Sequence, residues 1–292
     1  MNKERTPFER VVIIGCGDIG CRVGRLWREK GQPVTGLARS EASLSNITAA
    51  GLDAGQIDLD EHPLTLPDLS NSLLYTFFPP PAQGDEDSRT ANLLAELAQN
   101  KPNRIVHIST TGVYGDRQGE LVTENDATHP QAARARRRLR GESLLRDWGR
   151  HHDVPVMVLR VGGIYGPIRL PLERIKKGIP VLEPSLSPRT NRIHEDDLAQ
   201  VCLAAALRGR ADNIYNVSDG EDSDMTEYFY LLADHFQLPR PPAVDWPEAE
   251  RVMSKGMLSY LKESRRLDNR KMLKDLQIKL SHPSLKAWLA SQ

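Results

Sequence analysis

Cysteine is scarce: Cys16, Cys21 and Cys202 are the only three in 292 residues. An odd, low count provides no disulfide framework, and the spacing suits no metal site. The three read as small apolar fillers in a reducing compartment, and no metal is expected. A surplus of either charge is missing too, with 39 basic and 39 acidic residues. General nucleic-acid binding needs a basic surplus to neutralise phosphates, so it is excluded as the main activity; local basic clusters stay open. No apolar run approaches the length of a membrane span, and residues 1–10, MNKERTPFER, hold no apolar signal core. These absences lead to the expectation of a cytoplasmic protein with neither membrane nor nucleic acid as partner.

What is present is alternation. Strand-like apolar runs at Val11–Ile14, Pro33–Leu37, Ala54–Ile57, Leu73–Phe78, Arg104–Ile108 and Val156–Arg160 are separated by helical stretches near 18–30, 41–50, 86–100 and 132–150. This order predicts an α/β fold, a Rossmann-type doubly wound parallel sheet. Continuously apolar runs such as VVII suit strands covered on both faces. After residue 160 the pattern changes. A helix at 195–207 and a strand at Asn213–Val217 return to the sheet, and short helices follow near 224–237, 255–262, 268–275 and 284–290. PRPPAVDWP (239–247) reads as a stiff connector. The expected division is a dinucleotide-binding domain over 1–163, completed by 192–217, with 164–191 and 218–292 forming a small C-terminal substrate domain.

The first strand runs into VVIIGCGDIGCRVGRLW, where Gly15, Gly17 and Gly20 fit G-x-G-x-x-G. Gly15 suits the tight strand-to-helix turn, Gly17 the backbone's approach to a pyrophosphate, and Gly20 close packing of helix on sheet. The intervening Cys16, Asp18 and Ile19 complete the loop, and the opening helix turns unpaired N–H groups toward the phosphates. Asp18 also suits a helix N-terminus in its own right. The second strand ends GLARSEAS. An acid that would accept from a ribose 2′-OH is replaced by Arg39 and Ser40, and a guanidinium there suits a 2′-phosphate, which favours NADP over NAD. The alternative is an exposed loop arginine. Asp58 is placed to meet the adenine amino group, and Phe78 and Pro79 to line the cofactor edge.

These segments, with STTGVYG (109–115), VLRVGGIYGP (158–167), RIHEDDLA (192–199) and NIYNVSDG (213–220), resemble the extended short-chain dehydrogenase/reductases, the NAD(P)-dependent epimerase/dehydratase group. The likeness is greatest to an atypical, sugar-nucleotide epimerase-like branch. The resemblance spans about residues 10–220. It implies a homodimer through helices 86–100 and 132–150, and the apolar Leu93, Leu94, Leu97, Leu144 and Leu145 fit that expectation. It also implies a Ser/Thr after the fifth strand, matched by Thr110, and a Tyr-x-x-x-Lys pair on the next helix.

At that pair the chain departs from the family. Alignment of Gly141-Glu142 with the family's Ala-Glu puts Arg134 at the Tyr position and Arg138 at the Lys position. Arginine stays protonated, so Arg134 inherits no acid/base role, whereas Arg138 retains a donor for the nicotinamide ribose. The arginine run 134–140 has two readings: mostly a solvated face, with Ala133, Leu144, Leu145 and Trp148 inward, or a clamp for an anionic ligand by one or two members. His107 reads as a packed core histidine, His151-His152 as a loop, and Asp197 as a helix-start residue. Arg160, Tyr165 and Arg192 sit where substrate is expected, beyond the carboxyl ends of strands. Tyr165 is either a stacking or proton-giving group or a satisfied surface tyrosine. The expected function is NADP-linked oxidoreduction or epimerisation of a small anionic, nucleotide-sugar-like substrate, with Thr110, Tyr165 and Arg138 as the catalytic candidates. A non-catalytic NADP-binding sensor or scaffold stands as the alternative.

Overall fold

The computed structural model describes residues 8–292; the polar start read from residues 1–7 lies outside them. Seven strands, β1 (Arg10–Ile14), β2 (Val34–Ala38), β3 (Asp53–Gln56), β4 (Ser72–Thr76), β5 (Arg104–Thr110), β6 (Val156–Val161) and β7 (Ile214–Val217), form one sheet in the order β7-β6-β5-β4-β1-β2-β3. Every pairing in it is parallel. Five helices alternate with them: α1 (Asp18–Glu29), α2 (Glu41–Ala49), α3 (Ser88–Leu97), α4 (Ala133–His152) and α5 (Glu195–Arg208). The expected elements lie within a few residues of these bounds. The link from β3 to β4 carries no helix.

The period-2 alternation of side chains splits each strand between two cores. Val11 and Ile13 of β1 join Trp27, Ile47 and Leu198 under α1, α2 and α5. Val12 and Ile14 join Leu93, Leu97 and Leu145 under α3 and α4. The leucines behind the dimer expectation are therefore core residues of the chain itself: Leu93, Leu94, Leu97 and Leu145 are buried, and Leu144 is partly so. Helices α3 and α4 approach so closely that a Cβ on Gly141 would lie 2.3 Å from the Asp87 carboxylate. His107 is buried as expected, its Nδ1 2.9 Å from Thr76 Oγ1. His151 and His152 end α4 and are not a loop.

Beyond the sheet, Tyr165, Ile175 and Val181 pack with α6 (Met225–His235) and Trp288, forming an apolar cluster apart from the sheet's two cores. The Pro-rich connector is more ordered than expected. Ala243–Val244 pairs in parallel with Val181–Leu182, and Asp245 caps α7 (Trp246–Val252) by accepting from Glu248 N at 3.0 Å. Two further helices matter for the cleft and core, α8 (Lys255–Leu261) and α9 (Arg270–Asp275). Met272 and Leu276 insert into the sheet's first core, so this part of 218–292 packs with the sheet layer.

Arg160 departs from its expected substrate role. Strand alternation turns it toward α4, where its side chain is 4% exposed and Nη2 donates to Glu142 Oε2 at 2.8 Å, with Nε at 3.2 Å. Glu142 also accepts from the Ser109 hydroxyl, and the Tyr114 ring lies 4.8 Å from the guanidinium carbon. Removing one partner of such a pair strands the other charge, at about 3–5 kcal/mol. Arg160→Met is expected to lose that much in urea unfolding, and Arg160→Met combined with Glu142→Met to recover most of it. Equal losses in both proteins would show that the pair does not carry this stability.

Candidate functional site

Two cavities open at the carboxyl edge of the sheet, where α/β proteins bind ligands. The first, of about 310 Å³, is lined by Gly15, Gly17, Arg39, Ser40, Asp58, Phe78, Pro79 and Arg89. Gly15 has φ +79°, and a Cβ there would lie 2.4 Å from the Phe78 amide nitrogen, so the turn admits only glycine. A Cβ on Gly17 would meet nothing within 4 Å, which leaves open space above the loop as the pyrophosphate requires. A Cβ on Gly20 would sit 3.0 Å from Cys16 Sγ, and Cys16, Ile19 and Gly20 turn into the seam between α1 and the sheet. Asp18 is engaged by Arg22 at 3.3 Å and by Arg169 at 2.7 Å. Of the expected cofactor residues, Cys16, Asp18, Ile19 and Gly20 thus shape the loop and do not line the groove.

Ser40 caps α2 by accepting from Ser43 N at 3.3 Å. Arg39 is exposed, with one weak carboxylate contact, 3.5 Å to Asp60. Asp60 is already held by both Arg89 Nε (2.7 Å) and Nη2 (2.6 Å), which leaves Arg39 available to an incoming anion. Arg89 gave no signal in the sequence; it reaches the groove from the first turn of α3, where it also donates to Pro79 O at 3.1 Å.

The second cavity, of about 640 Å³, meets the first at Pro79. Thr110 and Thr111 from the end of β5 line it, as do Arg134, Arg137 and Arg138 from α4, and Arg189, Arg192, Arg265 and Tyr260. Thr110 Oγ1 accepts from Gly112 N at 3.2 Å, so its hydroxyl proton can serve a ligand. Arg138 donates to Phe78 O at 2.8 Å, and Arg134 to Ser259 Oγ at 3.0 Å beneath the Tyr260 ring. Arg192 stacks on the Tyr228 ring at 3.6 Å, and its Nη1 is buried with no partner. Burial holds Arg138 and Arg192 below the ordinary arginine range, though both remain cations. Arg138 and Arg192 were expected as site residues from the sequence, and Arg134 only as the replacement of the family's Tyr. Arg137 was not singled out from its run, and Arg265 and Tyr260 gave no signal, because only the fold brings 260–265 against α4. The inward set of the arginine run is larger than the expected one or two, and Ala133 is exposed while Ala135 is buried.

Tyr165 departs from both of its readings. It is fully buried, 5.3 Å from the His194 ring and 5.7 Å from the Trp288 ring, and does not line the cleft. Burial and the Asp219 and Asp197 carboxylates push its hydroxyl far above the usual phenol range, so it cannot pass a proton near neutral pH.

Residues 88–218 match the model of the NAD dependent epimerase/dehydratase family. A dTDP-glucose 4,6-dehydratase from Streptomyces niveus is 28% identical over 142 residues, 46% of this chain and 42% of that protein; the match spans less than half of the relative's length. A conserved protein of unknown function from Silicibacter pomeroyi has 27% identity and a TM-score of 0.83, with 97% of each chain covered. MoeE5, solved with UDP-glucose and NAD, shares the fold at 20% identity and a TM-score of 0.74, again with 97% of each chain covered. The Rossmann-type fold and the family resemblance read from the sequence are both borne out. No helix among the described residues is long and apolar enough to cross a membrane.

His194, beside Tyr165, caps α5 by accepting from Asp196 N at 3.2 Å. Asp197 of the same turn accepts from Ser281 N and His282 N, both at 2.8 Å. Burial, and then His282, lower the His194 pKa to about 4 against the pull of Asp196 and Asp197. The folded value lies below the unfolded one, so the stabilisation is whole above about pH 6.5 and is lost as pH falls through about 4. His194→Asn, which keeps a capping acceptor, is expected to flatten the fall in urea midpoint between those pH values. An unchanged slope would remove His194 as its source.

Proposed function

We propose that the chain binds NADP in the groove at Gly15–Gly17 and acts on a small anionic substrate of the nucleotide-sugar class in the adjoining cleft, as an oxidoreductase or epimerase. The observation that carries this reading is the junction at Pro79. There a glycine-turn groove with a weakly engaged arginine opens into a cationic cleft with Thr110 on its wall. The segments 164–191 and 218–292 supply the far wall through Arg189, Tyr260 and Arg265, which supports a substrate-side role for them. The three unpaired, buried cysteines support a cytoplasmic setting.

NADP, when bound, supplies the hydride chemistry. The chain's own residues supply the pyrophosphate cradle over Gly17, a cation for the 2′-phosphate in Arg39, and Thr110 to orient a reacting oxygen. Proton transfer is the weak point. Arg134 and Arg138 stay charged, and Tyr165 is sealed in the core. This favours the second reading, a non-catalytic NADP binder on an enzyme scaffold.

NADPH is expected to bind more tightly than NADH, and Arg39→Ala to narrow the gap, because a charge-assisted pair is worth about 1.5–3 kcal/mol. Fluorescence titration with both cofactors checks this, and equal wild-type affinities would refute the NADP preference. Gly17→Val, with no neighbour for its side chain to strike, is expected to fold normally and bind neither cofactor. General acid/base help is worth about 10²–10⁴-fold in rate. NADPH oxidation over a panel of alcohols, ketones and nucleotide sugars is therefore expected to be slow in wild type and unchanged in Tyr165→Phe. Brisk wild-type turnover would show a proton route outside these residues. Activity gained only with Arg134→Tyr and Arg138→Lys together would establish the binder reading.

A further inference from the structure

Several arginines that fasten the fold are ion-paired, Arg22 and Arg169 with Asp18 and Glu195, and Arg146 with Asp212, while others, such as Arg104 and Arg208, are spread over the fold and donate to carbonyls. Even the exposed Arg140 on α4 has a carboxylate, Glu86, at 2.8 Å. Arg134, Arg137, Arg138 and Arg192, which line the cleft, have no ion-pair partner among the described residues. Arg137 spends two nitrogens on the carbonyls of Ala82 and Gly84, and its Nε is buried without an acceptor, as is Arg192 Nη1. A cation held out of water without a counter-charge is costly, so the site is incomplete by itself.

Three of these arginines occupy i, i+3 and i+4 on α4, the spacing that puts side chains on one helix face. The Tyr260 ring lies 4.0 Å from the Arg134 guanidinium carbon, and both line the cleft. Thr110 and Thr111 line the same cavity, beside the Pro79 junction. We propose that Arg134, Arg137 and Arg138 form a subsite for an oxyanion group, a carboxylate or phosphate, carried by the substrate at the end that faces Thr110 and the cofactor groove. The inference rests on the reading of the cleft as the substrate side of the NADP site. It makes the ligand anionic at its reacting end, in addition to any charge that meets Arg192 across the cleft. Forked guanidinium donors suit such a group, and fixed positive charge stabilises it wherever water is excluded.

The test titrates inorganic phosphate and malonate into wild type, Arg134→Met, Arg138→Met and Arg136→Met at low ionic strength, by calorimetry and by thermal unfolding. Arg136 is exposed on the opposite face of α4 and serves as the control. Saturable wild-type binding is expected, weakened at least tenfold in Arg134→Met and Arg138→Met and unchanged in Arg136→Met. Ligand-free Arg138→Met is expected to melt no lower than wild type, since an unpaired buried cation has gone, and to lose the phosphate-induced rise. Tighter phosphate points to a phosphate ester, tighter malonate to a carboxylate. Absence of saturable binding, or equal weakening in all three variants, overturns the subsite. NADPH titration of the same proteins separates the two readings: phosphate binding without NADPH binding supports the subsite and overturns the cofactor reading, and the reverse overturns the subsite alone.

Discussion

The buried ion pair of Glu142 with Arg160 sets the geometry on which the site depends. Glu142 sits on α4 and is held from two strands at once, by Arg160 of β6 and by Ser109 of β5. A helix anchored at one buried residue has its rotation fixed, and residues four and eight positions earlier fall on the same stripe. Those residues are Arg138 and Arg134. The polar contact in the core therefore turns Arg134 and Arg138 of the five-arginine run to the cleft, with Arg137 beside them, while Arg136 and Arg140 face solvent. Gly141 beside it lets α3 press against α4 at Asp87, which closes the helix layer over that side of the sheet.

The second constraint is the parallel sheet. All seven strands end at one edge, so the loops after β1, β2, β4 and β5 are neighbours whatever their distance in sequence. The order reverses between β1 and β4, and the Gly15 turn touches the Phe78 backbone there. A side chain on Gly15 would separate these two loops, and the groove and the cleft would no longer share Pro79. The glycine-turn groove and the arginine-lined cleft are contiguous because backbone meets backbone at that crossing.

The electrostatics follow from burial more than from composition. A chain with no net charge still concentrates cations in one cavity, because the one acid that lines it, Glu263, is taken by Arg265 and others are committed elsewhere: Asp18, Glu195 and Asp196 around Arg22, Asp60 between Arg39 and Arg89, and Asp212 beside α4. The same commitment explains why Asp18, a loop residue by position, takes no place in the groove. It also explains why Arg169, one of several basic residues in its segment, belongs to the fold.

Local patterns decided most of the sheet. Apolar runs with flanking glycines located the strands, and helical periodicity located α1 to α5, because both signals arise within a few neighbouring residues. The cofactor loop was legible for the same reason, since G-x-G-x-x-G states a backbone conformation in adjacent positions. Arg39, Ser40, Asp58, Phe78 and Pro79 followed from their places at strand ends. The direction of a side chain at a strand end was not legible. Arg160 and Tyr165 lie in the segment that the family order marks for substrate, yet alternation and the packing of Trp288 turn both inward. Nor could the sequence bring Tyr260 and Arg265 to α4, more than a hundred residues away, or sort one arginine of the run from the next. Those choices belong to the tertiary structure, because they depend on how the helices dock on the sheet and on which groups each side chain then meets.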